Sequence, residues 1–198
     1  MVGKEEVEKI VQNKGNVRGE VFRTDATFIQ KKKGEEGLMA VEKEMAELGY
    51  PVIFKEIKAG GWYPESLSVL TILVAKDLFN WTEKDIFEMG NSVPKYSFIV
   101  KTLMGYFLSF KRFMAEVPKY WKKHFDFGEL EVAKFDEEKK YVILREKGYK
   151  FHPLMCLYHA GYYQEITKYI IKSEKITIEE TKCMFKGDPY HEYVIRWE

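Results

Sequence analysis

With 198 residues, 32 basic and 31 acidic side chains and a net charge of +1, the chain has neither the basic excess of a nucleic-acid binder nor an acidic tail. A composition of 45% hydrophobic and 32% charged residues excludes a disordered protein and supplies one domain with ample core. Two cysteines are too few for a disulfide scaffold, and no apolar run reaches membrane-span length.

The first fourteen residues, rich in Glu and Lys, hold no apolar signal-peptide segment, so a cytoplasmic protein is expected. Residues 1–198 read as a single domain, with 1–14 as an N-terminal helical appendage around Glu5–Gln12. Asn16–Phe28 reads as holding an extended piece anchored by Val17, Val21 and Phe22. Gly34–Leu48 is an amphipathic helix, with Leu38, Val41, Met45 and Leu48 three or four apart and Gly49 as its stop. Lys58–Pro64 is a loop, and a helix begins at Glu65 and runs to about Phe79. Thr82 with Asp85 has the spacing of a capping box and starts another helix that ends near Gly90. Pro94 opens a further helix, and a long one lies within Lys101–His124, kinked or broken at Pro118.

After Phe125 the periodicity changes. Gly128–Phe135 and Lys139–Glu146 alternate as strands about a turn at Asp136-Glu137-Glu138. Pro153 opens a helix to about Lys172, and Ile176–Phe185 and Tyr190–Trp197 form two closing strands. The expected fold is α+β: a mainly helical N-terminal half packed on a four-stranded antiparallel sheet, with strand-strand-helix-strand-strand in the C-terminal half.

The closing hairpin carries possible chemistry. Cys183 and His191 flank the Gly187-Asp188-Pro189 turn, where a thiolate and an imidazole can converge. Cys156 stands in the first turn of the helix from Pro153, where the helix N-terminus favours a thiolate. Two thiolates, an imidazole and a fourth group suit Zn²⁺. Asp136, Glu137, Glu138, His152 and His159 form the pool for the fourth position. Two distant cysteines can equally be small buried apolar side chains. No nucleophile-elbow, phosphate-loop or dinucleotide pattern is present.

The run Cys183-x-x-x-Gly187-Asp188-Pro189-x-His191, followed by Tyr193-Val194-Ile195, resembles the C-terminal hairpin of the 4-vinyl reductase domain. That domain is grouped with haem–nitric-oxide-binding sensors and TRAPP vesicle-tethering subunits. Cys156-x-x-x-x-Gly161-Tyr162 resembles the family's preceding helix. Gly15-Asn-Val-Arg-Gly19 and the approach to Trp62-Tyr63-Pro64 are similar to uncharacterised bacterial proteins of that fold. In phenol-sensing activators with this domain, the position of His191 is a cysteine, and the set binds structural zinc with a carboxylate. The resemblance thus implies a metal site at Cys156, Cys183 and His191.

Haem sensors of the group use a proximal His on a central helix and a Tyr-x-Ser-x-Arg motif. Lys101–Trp121 has no His, and the strand Tyr141–Arg145 is read as lacking the motif, so no haem is expected.

The expected function is non-enzymatic binding of a small apolar molecule, as a sensor or carrier. Trp62, Tyr63, Phe107, Phe110 and Tyr162 are the candidate lining residues. A homodimer is expected, without nucleic acid or membrane as partner. The alternatives are a TRAPP-like interaction module that pairs through Val2–Gln12, and a reductase-related enzyme.

Overall fold

A computed structural model describes residues 2–97, 110–173 and 175–198. The fold is α+β, with six helices and a four-stranded antiparallel sheet among these residues. Helix α1 (Lys4–Gln12) leads to a short strand β1 (Asn16–Arg18), which pairs with β2 (Trp62–Pro64). Between them runs α2 (Gly19–Glu47), in two segments that meet at Gly34. There φ is 75° and ψ −177°, a conformation open to glycine and closed to other residues.

The extended piece expected over Asn16–Phe28 is therefore only three residues long. Phe22, Ala26 and Ile29 are buried at helical spacing, and this period overrides the β-branched anchors. Helix α3 (Glu65–Phe79) has the expected bounds. Helix α4 (Glu83–Tyr96) starts at the Thr82–Asp85 capping box and continues through Gly90 and Pro94. No new helix opens at Pro94. Helix α5 (Phe110–His124) likewise runs through Pro118.

The sheet follows: β3 (Glu129–Asp136), β4 (Tyr141–Lys147), β5 (Ile176–Lys182) and β6 (His191–Trp197), in spatial order β3-β4-β6-β5. Alternation sets its inner face. Val142, Leu144 and Glu146 of β4 stand opposite Ile195, Tyr193 and His191 of β6, and all six are buried.

Helix α6 (Leu154–Ile171) is buried on nearly every side, which marks a helix held between two layers. One side meets the sheet; the other crosses α4 at Gly90 and Gly161. A β-carbon at Gly90 would stand 1.8 Å from the Tyr158 carbonyl oxygen, and one at Gly161 2.1 Å from that of Phe87. Glycine is required here for the two backbones to touch.

Helix α1 packs on α3 with Val7 and Ile10 buried. The segment expected to pair with a second copy thus uses its apolar face within its own chain. No helix among the described residues is long and apolar enough to cross a membrane.

Candidate ligand cavity and metal cluster

Helix α6 positions two sites. Near its N-terminal end, Cys156 meets the closing hairpin. Its Sγ lies 3.9 Å from Cys183 Sγ and 3.5 Å from His191 Nδ1. Glu180 of β5 completes the group, with Oε1 3.0 Å from His191 Nδ1. One donor atom from each of the four lies within 4.8 Å of every other. Around a tetrahedral ion with Zn–S near 2.3 Å and Zn–N near 2.1 Å, two sulfurs stand roughly 3.8 Å apart and sulfur and nitrogen roughly 3.6 Å. The Cys156–Cys183 and Cys156–His191 distances are those of such a shell, while His191 and Glu180 stand at hydrogen-bond distance.

The supporting contacts orient the ligands. The backbone N–H of Met184 donates to His191 Nδ1 at 3.4 Å, while Nε2 lies 3.0 Å from the Tyr149 carbonyl oxygen. In the neutral ring, a proton on Nε2 donated to that carbonyl leaves the Nδ1 lone pair for an ion; a ring protonated at both nitrogens donates from Nδ1 to Glu180 instead. Asp188 Oδ2 accepts from the Cys183 N–H at 2.9 Å and fixes the turn.

Burial and the adjacent Glu180 push the Cys156 thiol far above its ordinary range. Burial also raises the Glu180 carboxyl, but hydrogen bonds from His191 and Cys156 outweigh it and hold it below the usual carboxylate range. Without a cation the Cys156 thiol stays protonated; a divalent ion inverts that preference.

Cys156, Cys183 and His191 are thus brought together, while the expected pool supplies no fourth member. His152 pairs with Glu6, His159 with Glu146, and Asp136–Glu138 sit at the end of the β3–β4 ribbon. Glu180 was missed although its signal was present: it stands in phase with Ile176 and Ile178, an acid on the apolar side of β5.

Further along α6 a cavity of about 120 Å³ opens between α2, α4, α5, α6 and the sheet. Its walls are mainly apolar and aromatic, with Trp121, Phe125, Met155, Tyr158, Tyr162 and Ile166 among them. Glu20, Glu65, His124 and His159 also line it. Glu65 is one of three buried carboxyls here, with Asp25 and Glu146 behind the walls. Asp25 accepts from Tyr158 Oη at 2.7 Å, Glu65 accepts from Tyr149, and Glu146 accepts from Tyr163 Oη at 2.9 Å and lies 2.9 Å from His159 Nδ1. Burial pushes Asp25 up to about 7 and Glu65 up to about 8. It also lowers His124, although the Tyr120 carbonyl works against it.

Of the five expected lining residues, Tyr162 is in the wall. Trp62 lies on β2, 41% exposed, with the Arg18 guanidinium over its ring. Tyr63 packs edge-on against Phe22 and accepts from the Lys58 N–H. Both are away from the cavity. Phe107, and the side chain of Phe110, lie outside the described residues. His159 and Glu146 were legible as polar groups in phase with buried apolar neighbours. Glu65 was not, because an acid at a helix start looks like an ordinary first-turn charge.

No protein-family model matches the chain, and no curated protein does. Solved structures do. An H-NOX protein from S. oneidensis in the Fe(II)NO ligation state is 14% identical, with TM-score 0.68 over 91% of this chain and 99% of its own. An oxygen-binding H-NOX domain related to soluble guanylate cyclases is 11% identical, with TM-score 0.62 over 91% and 95%. A third, from work on heme distortion in the H-NOX family, is 13% identical, with TM-score 0.64 over 91% and 95%. The chain has the H-NOX fold.

That finding corrects the expectation of no haem, since the solved proteins of this fold include iron-bearing H-NOX domains. The spacing it relied on needs correcting as well. Two imidazoles, His124 and His159, line the cavity although the stretch before them has none. Tyr141 and Arg145 do stand four apart, the spacing of Tyr-x-Ser-x-Arg, with Ile143 in the serine place. They lie on the outer face of β4, where Arg145 binds Glu192 at 2.7 Å. The donor set fits an axial ligand to haem. The space does not fit the macrocycle, because a cavity of ~150 Å³ is filled by benzene.

Proposed function

We propose that the chain is a non-enzymatic sensory or carrier domain. It binds a small, ring-sized molecule in the α2–α4–α5–α6 cavity, with a structural zinc held by Cys156, Glu180, Cys183 and His191. The observation that carries the reading is that one helix serves both sites. α6 contributes Tyr158, His159 and Tyr162 to the cavity wall and Cys156 to the cluster. An ion there ties α6 to β5 and β6, so a ligand that shifts the wall also moves the end of the sheet. The gas-liganded neighbours support a sensory role, and the Cys–Glu–Cys–His set supports the zinc-bearing branch of the resemblance over the vesicle-tethering and reductase branches.

The purified full chain decides it. Elemental analysis is expected to give about one zinc per chain, and toluene is expected to bind with a change in the fluorescence of Trp121. Absorption spectra read haem directly; an intense Soret band altered in His124→Ala or His159→Ala would make the ligand an iron-bound gas. Absence of metal, together with no binding of toluene or haem, overturns the proposal.

A further inference from the structure

The cavity's hydrogen-bond inventory is unbalanced. Glu65 lines it, is 1% exposed, and has one oxygen, Oε1, accepting from Tyr149. Its Oε2 has no partner among the described residues. Asp25 Oδ2 and Glu146 Oε1, just behind the wall, are unpartnered too. The wall tyrosines Tyr158 and Tyr163 already donate to Asp25 and Glu146. No Lys or Arg is among the lining residues described. Buried polar atoms are rarely left without partners in folded proteins; of the four so left among the described residues, three are carboxyl oxygens and the fourth is the Ser68 hydroxyl of α3.

We propose that the cavity takes a small aromatic amine, with its ring among the aromatic side chains and its ammonium on the Glu65 carboxyl. This deepens the cavity reading above and rests on it. An ammonium brings three donors and one positive charge, which the surplus acceptors lack. Trp121 and Tyr158 offer π faces that favour a cation over a neutral group. A carbonyl-bearing ring could accept only from the protonated Glu65 carboxyl and brings no partner to the ionised one, so it is the poorer match at pH 8.

Proton linkage follows. The groups that face Glu65 are Tyr149, which donates to it, the Asp25 and Glu146 carboxyls, and His159 beside Tyr149. With the two neighbouring carboxyls and burial raising it, Glu65 holds a proton at neutral pH in the empty cavity. Ammonium binding displaces that proton to water, leaving carboxylate and ammonium paired, so affinity rises with pH up to about 8.

Calorimetric titration of the full chain with benzylamine, toluene and benzaldehyde tests this. Benzylamine is expected to bind at least about ten-fold tighter than benzaldehyde at pH 8, the worth of one buried charge-assisted hydrogen bond. Its affinity is expected to fall toward pH 6 by up to about ten-fold per unit, while that of toluene stays flat. Glu65→Gln keeps the shape and the Tyr149 contact, and is expected to remove both preference and slope without changing toluene binding. If that variant does not fold, the ligand order and pH slope of the unaltered chain decide alone. Benzaldehyde equal to or tighter than benzylamine, or a reversed slope, overturns the amine while leaving the cavity reading intact. Failure of all three to bind overturns both.

Discussion

The two polar regions along α6 differ in how their atoms are arranged, and the difference separates two kinds of chemistry. At Cys156, Glu180, Cys183 and His191 the donor atoms converge on one point, all within 4.8 Å. At Asp25, Glu65 and Glu146 the carboxyls are dispersed, each with its own tyrosine. A convergent set of soft and hard donors concentrates lone pairs where one cation can neutralise them. A dispersed set has no common centre, and burial pushes Asp25 and Glu65 toward their protonated forms instead. On the proposed reading the first region responds to a metal ion, the second to pH and to any donor that enters the cavity.

The sharpest way to break the comparison is to remove one converging ligand. Cys183→Ser is expected to abolish bound zinc and cost about 3–5 kcal/mol, read by elemental analysis and denaturant unfolding. Metal content equal to the parent would reject the convergent reading. A second substitution tests whether the regions share a rigid helix. In Gly161→Ala the new methyl meets the Phe87 backbone carbonyl, which cannot rotate away. A loss of about 2–3 kcal/mol is expected, with α6 displaced and both zinc affinity and toluene binding weakened. If only one of the two changes, the helix does not couple them.

The dispersed region is sharpened by pH. Glu65 is an acid whose folded-state value is raised, to about 8 from an ordinary 4.5. The stability it contributes by holding its proton is fully present below pH 4.5 and is lost as pH rises to about 8, since the unfolded chain binds fewer protons there. Glu65→Gln, which has no proton to lose, is expected to exceed the parent at pH 8 by on the order of 2 kcal/mol and to match it at pH 5. Thermal unfolding at both pH values checks this. Equal differences at the two would mean that Glu65 is not the titrating group.

Much of this is legible in the sequence. The sheet, α3 and the α4 capping box follow from periodicity and cap chemistry, which are local. The three-ligand group of Cys156, Cys183 and His191 followed from a hairpin and one helix start. What stayed hidden depended on phase or on three-dimensional closure. Glu180 needed its register with Ile176 and Ile178 to be followed along β5. The cavity needed α2 to be helical from Gly19, so that Val21 and Thr24 could reach it; reading that stretch as extended removed a wall. Trp62, expected in the lining as one of the chain's aromatic residues, instead stands at the surface with Arg18 stacked on it.

The smallest effect expected concerns a residue outside both the proposed metal ligands and the cavity lining. Asp188 accepts the Cys183 N–H at 2.9 Å, and its own N–H donates to the Cys183 carbonyl at 3.2 Å. The side chain thus closes the loop that sets the Sγ against His191, while Gly187 takes φ 98° to let the chain turn. Asp188→Ala removes one hydrogen bond, worth about 1 kcal/mol, and leaves all four ligands present. Zinc affinity is expected to fall about 10-fold, as for groups that orient metal ligands, measured by competition with a chromophoric chelator. Toluene binding should not change, because the loop lies beyond the cavity wall. A loss in the cavity equal to that at the metal would show that the two regions respond as one unit, and would make the turn, rather than α6, the element that joins them.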